Sequence, residues 1–178
     1  WKDVPTRTIT AGGVRFAYRE LGAHNPDTPL VCLIHLAAVL DNWDPRVIVR
    51  GLLTGQDPKQ FLFFTRTPGG IEAGKAFLER LKERSQNRDT EIAVSALFAQ
   101  LEALRTWGLK APADLSVVKH PVLVANGDAD RMVPTTNTHD LARRLPNSTL
   151  IVYPDSGHGA IFQFHAEFVP KALEFLAR

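Results

Sequence analysis

The stretch Pro121-Val122-Leu123-Val124-Ala125-Asn126-Gly127-Asp128-Ala129-Asp130-Arg131-Met132-Val133-Pro134 decides the fold class of this 178-residue chain. Pro121 to Ala125 is a short apolar run, the pattern of a strand covered on both faces of a parallel sheet. Thr138 to Leu145 then reads as a helix capped by Thr136 or Asn137, and Thr149 to Tyr153 as a further buried strand. A closing helix, roughly Glu167 to Ala177, presents Phe168, Ala172, Phe175 and Leu176 inward. Pro170 falls in its first turn, where no amide donor is needed. Strand, helix, strand, helix predicts an α/β fold with a parallel sheet.

Toward the N-terminus, Thr6 to Thr10 and Val14 to Glu20 alternate apolar and polar residues around Gly12-Gly13, which predicts a hairpin at a sheet edge. Pro29 to Leu36 contains the continuous run Leu30-Val31-Cys32-Leu33-Ile34 and predicts a central strand. From Arg50 the pattern turns helical, broken by Pro58 and by Pro68-Gly69-Gly70. Ile71 to Arg84 and Asp89 to Trp107 read as two amphipathic helices, the second capped by Asp89 or Thr90. Ala111 to Leu115 reads as a connector.

Composition narrows the function classes. With 44% hydrophobic residues the chain can bury a sizeable core. Its 21 basic and 19 acidic residues are interspersed, so neither a nucleic-acid surface nor a membrane patch is expected. The single cysteine, Cys32, forms no internal disulfide and suits a cytoplasmic location. No apolar run is long enough to span a bilayer, and a start at Trp1 without Met reads as a trimmed or processed chain. No metal-ligand pair occurs at helical spacing among His35, His158, His165, Asp128 and Asp130, and no cofactor is expected.

The chemistry is expected in two loops. Catalytic groups of an open α/β sheet lie beyond the carboxyl ends of its strands. Asp130 follows one predicted strand, and His158, in Asp155-Ser156-Gly157-His158-Gly159, follows the next. An acid beside the imidazole fixes its tautomer and stabilises its protonated form, making the histidine a competent general base. Either residue alone reads as a turn former or loop residue; the pair, after consecutive strands, reads as a dyad.

The chain resembles the α/β-hydrolases. Gly127 to Pro134 matches that family's G-x-x-D-x-x-V-P acid loop, and Asp155 to His158 its D-x-G-H loop. The resemblance implies Asp130 as acid and His158 as base. Pro29 to Leu36, ending His35-Leu36, resembles the strand before the oxyanion loop, so the amide of Leu36 or Ala37 is the implied donor. Residues 50–115 resemble the family's helical cap, with Phe61, Phe63, Phe64, Phe98 and Trp107 as acyl-pocket residues or as packing between cap and core. Residues 1–49 and 116–178 are then the two parts of the hydrolase core.

One part of the pattern is missing. A serine nucleophile needs a strained G-x-S-x-G elbow. None of Ser85, Ser95, Ser116, Ser148 and Ser156 has Gly two positions before or after it. The sequence passes from Trp43-Asp44-Pro45 to the cap within a few residues, so the join near Ile48-Val49-Arg50 reads as a natural or engineered deletion, or an excised region. Asp57, Thr10 and Thr67 match the elbow only in part. The expected fold is an incomplete α/β-hydrolase sheet with a helical cap, completed by strand exchange in a homodimer or by the sheet closing up. The expected function is hydrolysis of small carboxylic esters or related acyl compounds, weak or lost without a nucleophile. The alternative is a non-catalytic truncated scaffold that binds a small apolar ligand or acts as an assembly unit.

Overall fold

The computed structural model describes residues 5, 7–11, 14–18, 50–51, 53–86 and 94–177. Its elements, in chain order, are β1 (Arg7–Ala11), β2 (Val14–Tyr18), α1 (Lys59–Phe63), α2 (Pro68–Lys82), α3 (Val94–Gly108), a 3₁₀ turn (Leu115–Val117), β3 (Val122–Gly127), α4 (Thr135–Arg144), β4 (Ser148–Tyr153), α5 (Ala160–Gln163) and α6 (His165–Leu176). β1 and β2 pair antiparallel from Arg7 opposite Tyr18 to Ala11 opposite Val14, the predicted hairpin. β3 and β4 pair parallel from Val122 beside Ser148 to Gly127 beside Tyr153, with α4 as their crossover. The expected strand at Pro29 to Leu36, with Cys32, lies outside the described residues, as do Asp89 and Thr90.

Four local expectations are corrected. Pro68-Gly69-Gly70 opens α2 instead of breaking the helical pattern: Pro68 occupies the first turn, where its missing amide costs nothing, and the Thr67 hydroxyl accepts from the Gly70 amide at 3.1 Å. α4 begins at Thr135 behind Pro134 and has no side-chain cap. Thr135 and Thr138 face the sheet, Thr135 donating to the Gly127 carbonyl at 2.6 Å and Thr138 accepting from the Asn126 side-chain amide at 2.8 Å, while Thr136 is exposed. α6 begins at His165, so Pro170 falls in its second turn, where both Pro170 and Ala166, the residue that loses its amide partner, are exposed. β4 is only partly buried: Thr149 and Leu150 are exposed, and cover increases toward Tyr153.

An aromatic cluster joins the segment around α1 and α2 to α5. Phe77 of α2 is buried, with its ring centroid 5.5 Å from that of Phe64, 6.1 Å from Phe63 and 4.9 Å from Phe162. Such tilted pairs add about 0.5–1.5 kcal/mol each beyond the apolar area they bury. Phe61, Phe64 and Ala160 complete this core, while Val124 and Leu145 are buried with the parallel sheet and its crossover.

Tyr153 ends β4 with its ring stacked on Phe164 at 4.8 Å and the Lys171 ammonium 5.8 Å from the ring centroid. Its hydroxyl is buried without a hydrogen-bond partner. Burial, and then the nearby Glu167 carboxylate, raise its pKa, so the fold favours the neutral phenol. That preference is fully present below the unfolded value of about 10 and is lost as pH rises through the higher folded value. Tyr153→Phe removes an unsatisfied group without leaving a cavity, so its unfolding free energy from urea titration should match or exceed that of the parent by up to about 1 kcal/mol, the margin widening in alkali. A loss larger than about 1 kcal/mol would contradict this placement of the hydroxyl.

Candidate active site

The loops leaving β3 and β4 are fastened to each other at their first residues. The Asp128 amide donates to the Tyr153 carbonyl at 2.9 Å, extending the ladder, and the Ala129 amide donates to the Ser156 carbonyl at 2.9 Å. The Asp128 carboxylate returns the link, accepting from the amides of Asp155 at 3.1 Å and Ser156 at 3.2 Å. Gly127 makes this possible: a Cβ there would lie 2.2 Å from the Ser156 carbonyl oxygen. Asn126 braces the start of the acid loop, its side-chain amide donating to the Val133 carbonyl at 3.1 Å.

Within this frame Asp130 meets His158. Asp130 Oδ1 accepts from the amides of Met132 at 2.8 Å and Val133 at 3.0 Å, and Oδ2 lies 2.9 Å from His158 Nδ1. The carboxylate side chain is 1% exposed and the imidazole 18%. The acceptor-only carboxylate assigns the ring proton to Nδ1, which leaves the lone pair on Nε2. A histidine so held can take a proton at Nε2 and share the resulting charge with a carboxylate already fixed by two amides.

α1 and the chain after it touch both loops. The Arg131 guanidinium donates to the Phe61 carbonyl at 3.2 Å on the acid side. On the base side, the Gly159 amide donates to the Phe63 carbonyl at 2.7 Å, and the Phe63 ring lies 5.4 Å from the imidazole. A Cβ on Gly157 would approach that carbonyl to 2.8 Å. The segment expected to be cap thus lies against the base loop, an arrangement no local motif announces.

The other expected site residues are distributed differently. Phe61 and Phe64 are buried core residues, the Phe64 ring packing so closely on Gly159 that a Cβ there would sit 2.8 Å from it. Phe98 is 65% and Trp107 54% exposed on α3, so neither forms a closed acyl pocket. Leu36 and Ala37 lie outside the described residues. Asp57, a partial elbow match, pairs with Lys59 at 3.1 Å and accepts from its amide, the role of a turn residue.

All five serines are described, and none is hydrogen-bonded to His158. Ser156 is fully buried, its hydroxyl donating to the Tyr153 carbonyl at 2.8 Å, and the Ser148 hydroxyl donates to the Ala142 carbonyl at 2.8 Å. Ser85, Ser95 and Ser116 are exposed. Among the described residues, no three His, Cys, Asp or Glu side chains converge in a way that could hold a metal ion.

The chain is similar to known proteins in its fold. A family model described as the alpha/beta hydrolase fold matches residues 29–164. Over 64 residues the chain is 39% identical to RutD of Caulobacter sp., named as a candidate carbamate hydrolase, covering 36% of this chain and 24% of that protein. Over 97 residues it is 29% identical to the AB hydrolase superfamily protein YisY of Bacillus subtilis, covering 52% of this chain and 35% of that one. The chain therefore spans about a quarter to a third of the length of these curated relatives. Among solved structures, an alpha/beta hydrolase fold protein from Chitinophaga pinensis is similar at a TM-score of 0.79 and 26% identity, with 98% of each chain covered. The family match extends over most of the sequence, and the chain belongs to the α/β-hydrolase fold family.

Proposed function

We propose that this chain is a hydrolase of small carboxylic esters or related acyl compounds in which His158, oriented by Asp130, acts as general base on water, with no covalent serine step. The observation that carries this reading is the 2.9 Å contact of His158 Nδ1 with Asp130 Oδ2, made while Oδ1 is held by two backbone amides. Water attacks the acyl carbon as its proton passes to Nε2; the C–O bond to the leaving alcohol then breaks, and the imidazolium returns the proton to that oxygen. The Phe63 ring beside the imidazole offers an apolar surface to the acyl group. The amide of Leu36 or Ala37 serves as oxyanion donor in this proposal, on the family resemblance alone.

Without a nucleophile the rate enhancement is small, on the order of 10³–10⁴ over water from binding and oxyanion stabilisation in a well-characterised serine protease. The purified chain should hydrolyse p-nitrophenyl acetate and butyrate measurably above buffer. His158→Ala and Asp130→Ala should each lower the rate toward the level that binding and oxyanion stabilisation alone sustain, general-base catalysis being worth about 10²–10⁴-fold. Hydrolysis undiminished by both substitutions would exclude the dyad as its source.

We also propose that two chains complete one another's sheets by exchanging strands. The sequence lacks the strands that flank Pro29 to Leu36 in the family pattern, and Leu150 on β4 and Val169 and Leu173 on α6 are exposed apolar residues. Light scattering at micromolar concentration should report a dimer; a clean monomer would contradict the exchange.

A further inference from the structure

Asp155 opens the loop that carries His158, yet it takes no part in the dyad. It is also the only non-glycine residue with positive φ among the described residues, at 46°. Aspartate tolerates this left-handed conformation better than most side chains, and such a residue persists where its surroundings hold it. Here they do so from a distant part of the chain. The Thr67 hydroxyl lies 2.9 and 2.8 Å from the two carboxylate oxygens of Asp155, and the Thr65 hydroxyl donates to Oδ1 at 3.1 Å. Thr67 is itself fixed, because its oxygen accepts the Gly70 amide at the start of α2. The carboxylate therefore also sits at the positive end of that helix, with Oδ2 close enough to Gly69 that a Cβ there would come within 3.3 Å. On the other side, Gln163 Nε2 donates to the Asp155 carbonyl at 3.1 Å.

We propose that Asp155, latched by Thr67 and Thr65, is a positioning residue for the general base. It pins the beginning of the loop to α2, while the Phe63 carbonyl pins Gly159 just beyond the histidine. His158 is then held on both sides by one segment, residues 63–67, and its imidazole has little freedom to leave Asp130. Asp128 ties the two loops to each other, and the latch adds a tie to the start of α2 beside the contacts that Phe61 and Phe63 of α1 make with Arg131 and Gly159.

This inference rests on the dyad reading, and its test separates the two. In the full chain, the Nδ1–H proton of His158 gives a low-field NMR resonance while it is held by Asp130, assigned by its loss in His158→Gln. Asp155→Gly keeps the left-handed backbone accessible and removes only the carboxylate; Thr67→Val removes the hydroxyl at constant shape; Thr67→Ser keeps the hydroxyl. At unchanged far-ultraviolet circular dichroism, Asp155→Gly and Thr67→Val should lose or broaden the resonance. Both should also lower kcat for p-nitrophenyl acetate by about 10–100-fold, the scale expected when a catalytic group is displaced by about 1 Å, with KM little changed. Thr67→Ser should retain both signals. A resonance and kcat unchanged in both disruptive variants would overturn the latch, as would a parent protein lacking the resonance. A resonance present in the parent and lost in the variants, with no hydrolysis by any protein, would uphold the latch and remove the hydrolytic reading.

Discussion

Parallel pairing of β3 with β4 is the constraint on which the site depends. Because Gly127 lies beside Tyr153, both strands end at the same level and both loops leave from one edge of the sheet. Two successive strands of an antiparallel hairpin would send their loops to opposite ends, and Asp130 would not meet His158. The ladder continues one residue into the loops through Asp128, whose carboxylate then takes two amides from the opposing loop. By the time the chain reaches Asp130 and His158, little freedom is left for their separation. The dyad distance is thus a consequence of strand register, made possible by a residue at 127 with no side chain.

The C-terminal part of this arrangement was legible because its signals are local. An apolar run followed by Gly127-Asp128-Ala129-Asp130, and another followed by Asp155-Ser156-Gly157-His158, place both groups without reference to the rest of the chain. The helix ends were less legible, since Thr135 and Thr138 can either cap a helix or bond a neighbouring strand, and only the tertiary context makes them do the latter. Pro68 looks like a breaker in the sequence for a similar reason: whether proline stops or starts a helix depends on the cap before it, here Thr67. The contacts of Phe63, Thr65 and Thr67 with the base loop had no sequence signal at all, because they join positions about ninety residues apart that share no motif.

The same contacts alter the meaning of the aromatic residues between 61 and 77. Phe61, Phe64 and Phe77 are committed to the core, and Phe63 alone among them lies beside the imidazole. The segment therefore packs against His158 and its loop more than it lines a deep pocket. Ser156 shows the same economy of position: it is the serine nearest the histidine in sequence, but its hydroxyl is spent on the Tyr153 carbonyl inside the loop junction. The hydrogen-bonded pair Asp130–His158 coexists with serines that are either exposed or bonded to backbone, and none of the five is hydrogen-bonded to His158.

In the proposed reaction His158 takes the proton, and no serine is placed to attack the acyl group. Intact-mass measurement after prolonged exposure of the full chain to a fluorophosphonate tests this most directly, because the reagent reports a serine activated by the dyad as a stable adduct. An unmodified mass is expected even while His158-dependent hydrolysis of p-nitrophenyl acetate is detectable. A stoichiometric single adduct, abolished by His158→Ala, would contradict it.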